Sequence, residues 1–549
     1  MRLNKNLTIA LFFLIYFLTT FFPGGAAFAV APPLDVQKAV PPDLLPANPR
    51  GYGAMISPAA GAGRSVFYSM GDGAGVNLVE YLKTNNNVSI IVIAVEFSDV
   101  KMTPSGFAGI NSMLGEMCRF FSQQSNQKLN LTAYPSPRVY KLNNTMGRYG
   151  NSDDAEALVR DAVAACDAEV DFSKYQCVMV AHAGYGDETN PSDYGTSDIW
   201  SKYWYSSGYS VSTADGVSVS GATIVPELEY EGVSPLGVIC HEFGHQLGLP
   251  DLYDTSYSTE GGIGRWSLMA TGAYNGVPRG SRPAFLDPWC RKRLGWIEYE
   301  KLTGDYRDFN FESGRVYQIV ADAAGSEQDY FLLEKRFKDP AGYDAGLPSE
   351  GLLIYHVNAV RERENSLSPN NYSPGLIWLM CANGKDHLTV SPRSKIRGLE
   401  TDPYPSGDSR DFYFYSLPSS KTWGGIDSGV AVRNIRKTSG GASMIVTADI
   451  YSGARAEKFF AAALFLAPGL ANRAVLIVKP RSGVTDGVTA VFNGDASAAG
   501  TQKLIKSSDG RYYYLIFGVP AGAGRVSATL SGSRAGEAVN VSEENIFYY

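Results

Sequence analysis

Apolar positions along the chain change their period several times, and each change predicts a different element. VSIIVIAVEFSD at 88–99 is apolar at nearly every position, as in a strand buried on both faces. Between Ser105 and Gln127, the spacing of Phe107, Ile110, Met113, Leu114, Met117, Phe120 and Phe121 predicts an amphipathic helix. KLNLTAY (128–134) then reads as a strand, DDAEALVRDAVAACDAEV (153–170) as a second helix and YQCVMVAHAGYG (175–186) as another buried strand. From about 301 to 452 the period shortens to that of strands separated by turn residues, in RVYQIVA, DYFLLEKRF, GLLIYHVN, GLIWLMCA, FYFYSL, VAVRNIRK and SMIVTADI. A last series over 471–549, including RAVLIVKP, GVTAVFNG, RYYYLIFGVP and RVSATLSG, predicts a small antiparallel β-sandwich.

The ends of the chain read differently. Residues 1–29 place Arg2 and Lys5 before an apolar run and close on Ala27-Phe28-Ala29, the pattern of a secretory signal peptide cut after Ala29. The run is shorter than the ~20 residues of a spanning helix, so no stable membrane span is expected after cleavage, and the mature chain is expected outside the cell or in the periplasm. Residues 30–85 are rich in Pro, Gly and Ala without a lasting period, as in a linker or pro-segment. The remaining divisions are expected at 86–300, 301–452 and 471–549.

With a formal net charge of −7 and no basic stripe, the chain is a poor partner for nucleic acid. Its six cysteines lack CxxC spacing, so a cysteine zinc site is not supported. Fifteen full pairings exist for six thiols, and Cys166 with Cys177 is merely the pair closest along the chain.

The chemistry concentrates in VICHEFGHQLGLPDLYD, 238–254, which holds two of the five histidines. Ser234 as N-cap, Pro235 in the first helical position and Gly248 as the stop predict a helix over 235–247. One turn apart, His241 and His245 share a face and can meet one ion, while Glu242 stands beside the first ligand as a base that does not bind the metal. Gly248 permits a sharp turn and Pro250 stiffens the return, bringing Asp251 in as third ligand of an H-E-x-x-H-x-x-G-x-x-D pattern, with Asp254 the nearest competitor. A zinc ion held this way keeps one position open and lowers the pKa of its water towards ~7, with Glu242 accepting the proton and passing it to a leaving amine. Hydrolysis of peptide bonds in protein or peptide substrates is the expected outcome. The rival reading is an exported binding or adhesion protein with a structural or degenerate metal site, against which the intact Glu242 argues. Cleavage-site preference and oligomeric state are not legible.

These residues resemble the immune inhibitor A type of secreted zinc metalloproteases, within the metzincin-like zincins. HEFGHQLGLPDLYD, GIGRWSLMATGAYNG, RPAFLDPWCRKRLGW, DYFLLEKRF, AGLPSEGLLIYHVN and VIAVEFSD carry the likeness, over roughly 86–450. The resemblance implies an α+β chain: a zincin-like catalytic domain, a β-rich region and the C-terminal sandwich. It implies that Met269 forms a turn beneath the metal, where the bare sequence reads a small-residue turn or core filler. It also offers Tyr274 as an oxyanion donor, against the default of a surface tyrosine. Calcium comes with it as a second ion, with Asp187 and Glu188 as candidates against a solvated acidic loop. His182 is a candidate for lining the cleft, His356 reads as a core histidine, and His387 carries no signal. The family's HVD is HVN here, at Asn358. Latency through a carboxylate such as Asp35 or Asp43, or through steric covering, stays open.

Overall fold

The structure is a computed structural model. It describes residues 85–452 apart from 192–196, 207–208, 322–328, 367, 415, 426 and 441–442, together with Tyr81 and strand segments at 68–69, 76–77, 460–466, 473–480, 484–494, 501–507, 513–518, 525–534 and 537–548. The signal peptide, its cleavage site, most of the expected pro-segment and Asp35 and Asp43 lie outside the described residues. The chain divides into two compact units, with the boundary between Gly453 and Ala454.

The first unit is built around a mixed sheet. Strands β1 (Asn87–Glu96), β2 (Asn130–Pro135), β3 (Cys177–Tyr185), β4 (Lys202–Tyr205) and β5 (Gly221–Leu228) lie in the order β2-β1-β3-β5-β4. All neighbours are parallel except the edge strand β4. The apolar run of β1 feeds both faces. Ile90, Val92 and Ala94 enter the core beneath helix α1 (Pro104–Gln124), whereas Ile91, Ile93 and Val95 pack on the side of α2 (Ala155–Cys166). That explains why neither face of the strand shows a polar alternation. Strand β4 has no counterpart in the sequence reading, because KYWY carries too few alternating positions to stand out.

Helix α3 (Leu236–Gln246) packs Leu236, Ile239, Cys240 and Phe243 into the α1 side of the sheet. It begins one residue later than expected: Pro235 occupies the cap position, and Ser234 Oγ accepts only a long 3.4 Å contact from Leu236 N.

Beyond residue 300 lie two antiparallel layers. Strands β6 (Gly304–Asn310), β11 (Ala431–Gly440) and β12 (Ser443–Ser452) form one, in the order β6-β12-β11. Strands β7 (Val316–Val320), β8 (Tyr330–Arg336), β9 (Gly351–Val357) and β10 (Ile377–Leu379) form the other, to which the short Glu300–Lys301 segment adds in parallel beside β7. Phe331, Leu333, Leu352 and Ile354 face the first layer, while Leu332, Leu353 and Tyr355 enter the core that α3 also fills. Alternation along β8 and β9 therefore ties the β-rich region to the helix bearing the histidines. The described residues of FYFYSL form no strand: Phe412 makes a single bridge to Val432, and two serines nearby fold the backbone back, with Ser416 Oγ and Ser420 N both bonded around Tyr413.

All six cysteines are unpaired. Cys166 and Cys177, close in sequence, point into the cores on opposite faces of the sheet, so no bridge between them is reachable without unfolding it.

In the second unit the described strands form two four-stranded antiparallel sheets. One contains Phe460–Leu466, Arg473–Pro480, Tyr513–Gly518 and Ile505–Lys506; the other contains Thr501–Lys503, Val484–Gly494, Arg525–Arg534 and Glu537–Tyr548. Phe492 of one and Phe517 of the other are both buried, with ring centroids 4.2 Å apart.

Candidate metal centre

Helical geometry sets His241 and His245 on one face of α3, and a glycine turns the chain back. Gly248 has φ +101°, a region where a Cβ is strained, and it closes the helix by donating to the His245 carbonyl at 2.9 Å while Leu249 N reaches Gly244 O at 3.1 Å. The segment that follows delivers Asp251.

Three donor atoms converge as a result. Asp251 Oδ1 lies 3.2 Å from His241 Nε2 and 3.1 Å from His245 Nε2, and the two nitrogens are 3.2 Å apart. Each ring's other nitrogen faces a backbone carbonyl: His241 Nδ1 sits 2.8 Å from Leu268 O and His245 Nδ1 sits 2.9 Å from Leu249 O. An N–H at those positions leaves both Nε2 lone pairs aimed at a carboxylate oxygen and at each other. Such an arrangement repels itself unless a positive charge stands between the donors. A tetrahedral ion about 2.0–2.1 Å from each atom needs edges of roughly 3.3–3.4 Å, so the triangle fits zinc to within a few tenths of an ångström.

The electrostatics point the same way. Burial opposes the charge of Asp251, yet His245 and then His241 hold its carboxyl down at about 2. Burial likewise opposes charge on His245, and Asp251 followed by Glu242 pushes it up to about 9.

Glu242 is buried, and its pKa is raised, first by desolvation, against the lowering influence of His245 and His241. It lines a cavity of about 40 Å³ with His241, Trp200, Tyr253, Tyr257, Thr271 and Tyr274. At ~10–15 Å³ per water, about three solvent molecules fit there.

Met269 is fully buried beneath the helix. A Cβ placed on Gly244 would come within 2.6 Å of its sulfur, and its carbonyl accepts from Leu252 N at 2.7 Å. The turn that contains it thus touches α3, the His241 ring and the Asp251 segment together. Tyr274 lies in the cavity wall rather than on an open surface, and burial, followed by Glu188 and Glu229, pushes its phenol well above the usual value. Asp254 does not compete for the ion: its oxygens accept from Ser256, Ser258 and Thr259 in its own loop.

Other expectations shift. His182 points to the α2 side of the sheet, its ring 6.2 Å from Phe97, away from the cleft; burial brings it down to about 4. His356 is a core residue stacked on Trp423 at 3.8 Å. Asn358 caps the short helix Ala359–Glu364 by accepting from Val360 N and Arg361 N, a task an amide oxygen performs well. Asp187 and Glu188 are buried rather than solvated, and Glu188 accepts from Ser201 N at 3.1 Å. Trp200, Tyr253 and Tyr257 were not singled out in the sequence. The two tyrosines follow Asp251 closely, a usable signal, whereas Trp200 has no local one.

Residues 167–297 match the family profile described as the immune inhibitor A peptidase M6, catalytic domain. That segment is similar to the catalytic domains of these metallopeptidases. Pre-pro-metalloprotease PrtV of Vibrio cholerae serotype O1 is 25% identical over 369 residues, which is 57% of this chain and 39% of the relative. Immune inhibitor A of Bacillus thuringiensis subsp. alesti is 31% identical over 190 residues, 26% of this chain and 27% of the relative. The chain thus spans about two fifths or less of the length of these curated relatives. The M6 segment contains α3, Asp251, Met269 and Tyr274, so the match falls on the elements that build the donor triangle.

Proposed function

We propose that the chain is an exported zinc endopeptidase acting on protein or peptide substrates. The observation that carries this reading is the triangle of His241, His245 and Asp251 opening beside Glu242 on a cavity with room for solvent. Those three residues would hold the ion, which when bound supplies a Lewis acid for a peptide carbonyl and lowers the pKa of water.

The chain's own groups supply the rest. Glu242 accepts a proton at its carboxylate from solvent in the cavity and later yields it to the leaving amine; burial, by raising its pKa, brings it closer to neutral working pH. Tyr274, kept protonated, donates to the charge developing on the scissile carbonyl oxygen. Met269 forms the turn under the site, and Gly248 sets the return of Asp251. The C-terminal pair of sheets is read as an antiparallel sandwich that contacts substrate or a surface. Among the described residues no helix is long and apolar enough to cross a membrane.

The test compares casein hydrolysis by the mature protein, with and without a chelator, against Glu242→Ala. Cleavage that requires zinc and disappears in a folded, zinc-loaded variant supports the enzyme. Zinc bound with no cleavage by the unaltered protein would favour the rival binding or adhesion protein.

A further inference from the structure

Cys381, His387 and Asp402 meet in the interior of the first unit, each at most 5% exposed, with one ligand atom of each lying within 4.8 Å of the others. The His387 ring is the unusual member. Its Nε2 stands 3.3 Å from Asp402 Oδ1 without the alignment of a hydrogen bond, and Nδ1 has no hydrogen-bond partner among the described residues. Leaving both nitrogens of a buried imidazole unbonded forfeits water on two atoms with nothing in return. A core histidine kept only for packing has no reason to stand unbonded beside a carboxylate with a thiol close by.

The remaining bonds prepare the other donors. Asp402 Oδ2 accepts from Trp266 Nε1 at 3.1 Å and Leu399 N at 2.9 Å, and Oδ1 accepts from Asn383 Nδ2 at 2.9 Å. The carboxylate is therefore fixed, with Oδ1 turned to the imidazole. A nitrogen and a carboxylate oxygen near 3.3 Å apart and not hydrogen-bonded match the roughly 3.3–3.4 Å edge of a tetrahedral zinc site, the same spacing found between His241 and Asp251. Thiolate, imidazole and carboxylate together favour zinc over harder cations.

We propose that Cys381, His387 and Asp402 form a second zinc site, structural in role, that staples the 381–402 loop behind the catalytic turn. Binding displaces the proton of the Cys381 thiol to solvent. The loop is joined to the turn by Gly262 N to Leu388 O at 2.9 Å, Arg265 N to Arg397 O at 2.7 Å and the Trp266–Asp402 bond, so the ion would brace the segment leading to Met269.

Cobalt(II) exchanged into the full chain tests this, because the first site has no sulfur and cannot give a thiolate-to-cobalt charge-transfer band. Two metal equivalents per chain are expected, one of them bringing that near-ultraviolet band. The band should be lost in Cys381→Ser, weakened in His387→Gln and retained in His245→Ala, which loses the other equivalent. Saturation of the wild-type chain without a thiolate band overturns the site, with no need for a folded variant, as does a band that survives Cys381→Ser. Neither result touches the reading of His241, His245 and Asp251.

Discussion

The carbonyl of Leu268 holds the ring of His241, 2.8 Å from Nδ1, one residue before Met269. A backbone atom of the turn therefore decides which imidazole nitrogen faces the cavity. Any change that moves this turn should weaken metal binding without removing a ligand.

Gly244→Ala makes that change. Its methyl would press on the fully buried Met269 sulfur, which has little room to retreat. We expect destabilisation of about 1–3 kcal/mol and roughly 10–100-fold weaker zinc binding. Unchanged denaturation midpoint and zinc affinity would show that the turn does not position His241.

Gly248→Ala strains the φ +101° hinge that returns Asp251. A loss of about 1–3 kcal/mol is expected, with zinc affinity falling alongside. If stability drops while competition with a chelator reveals undiminished affinity, the hinge does not set the position of the third ligand.

Tyr274→Phe removes one donor from the cavity wall while keeping the ring. Under the proposed mechanism kcat falls by about 10²–10³ with little change in KM. Equal kcat for the two proteins rules out the oxyanion role.

Glu188 and Glu229 are buried close to one another, and desolvation raises both carboxyls, that of Glu229 further through the Glu188 charge. Raised folded-state values mean that the native state binds more protons than the unfolded chain, so this contribution to stability is full below the unfolded glutamate value of about 4.3 and is lost as pH rises above it. Thermal unfolding followed from acidic to alkaline pH should show Glu229→Gln, which imitates the protonated partner, losing less stability than wild type. Parallel curves would refute the coupling.

Local pattern sufficed wherever one element carried its own signal. The β1 run, α1, α2, β3 and most strands of the β-rich region, though not β6, are visible as hydrophobic period, and H-E-x-x-H places two donors by helical pitch alone. FYFYSL misled because Phe412 makes only a single bridge, to Val432, and the edge strand β4 was silent because four residues hold too few alternating positions. Tyr274 read as a surface residue because exposure depends on what packs over a side chain, and its neighbours come from distant segments.

By itself the sequence determined the spacing of His241, Glu242 and His245, the glycine able to turn the chain and an acid within reach. Only the tertiary structure decided that Leu268 and Leu249 aim both Nε2 atoms inward, that Asp251 rather than Asp254 arrives, and that Cys381, His387 and Asp402 meet at all. The reason is physical: helical pitch is a property of adjacent residues, whereas the orientation of a ring and the meeting of remote side chains are fixed by carbonyls and cores contributed from elsewhere in the chain.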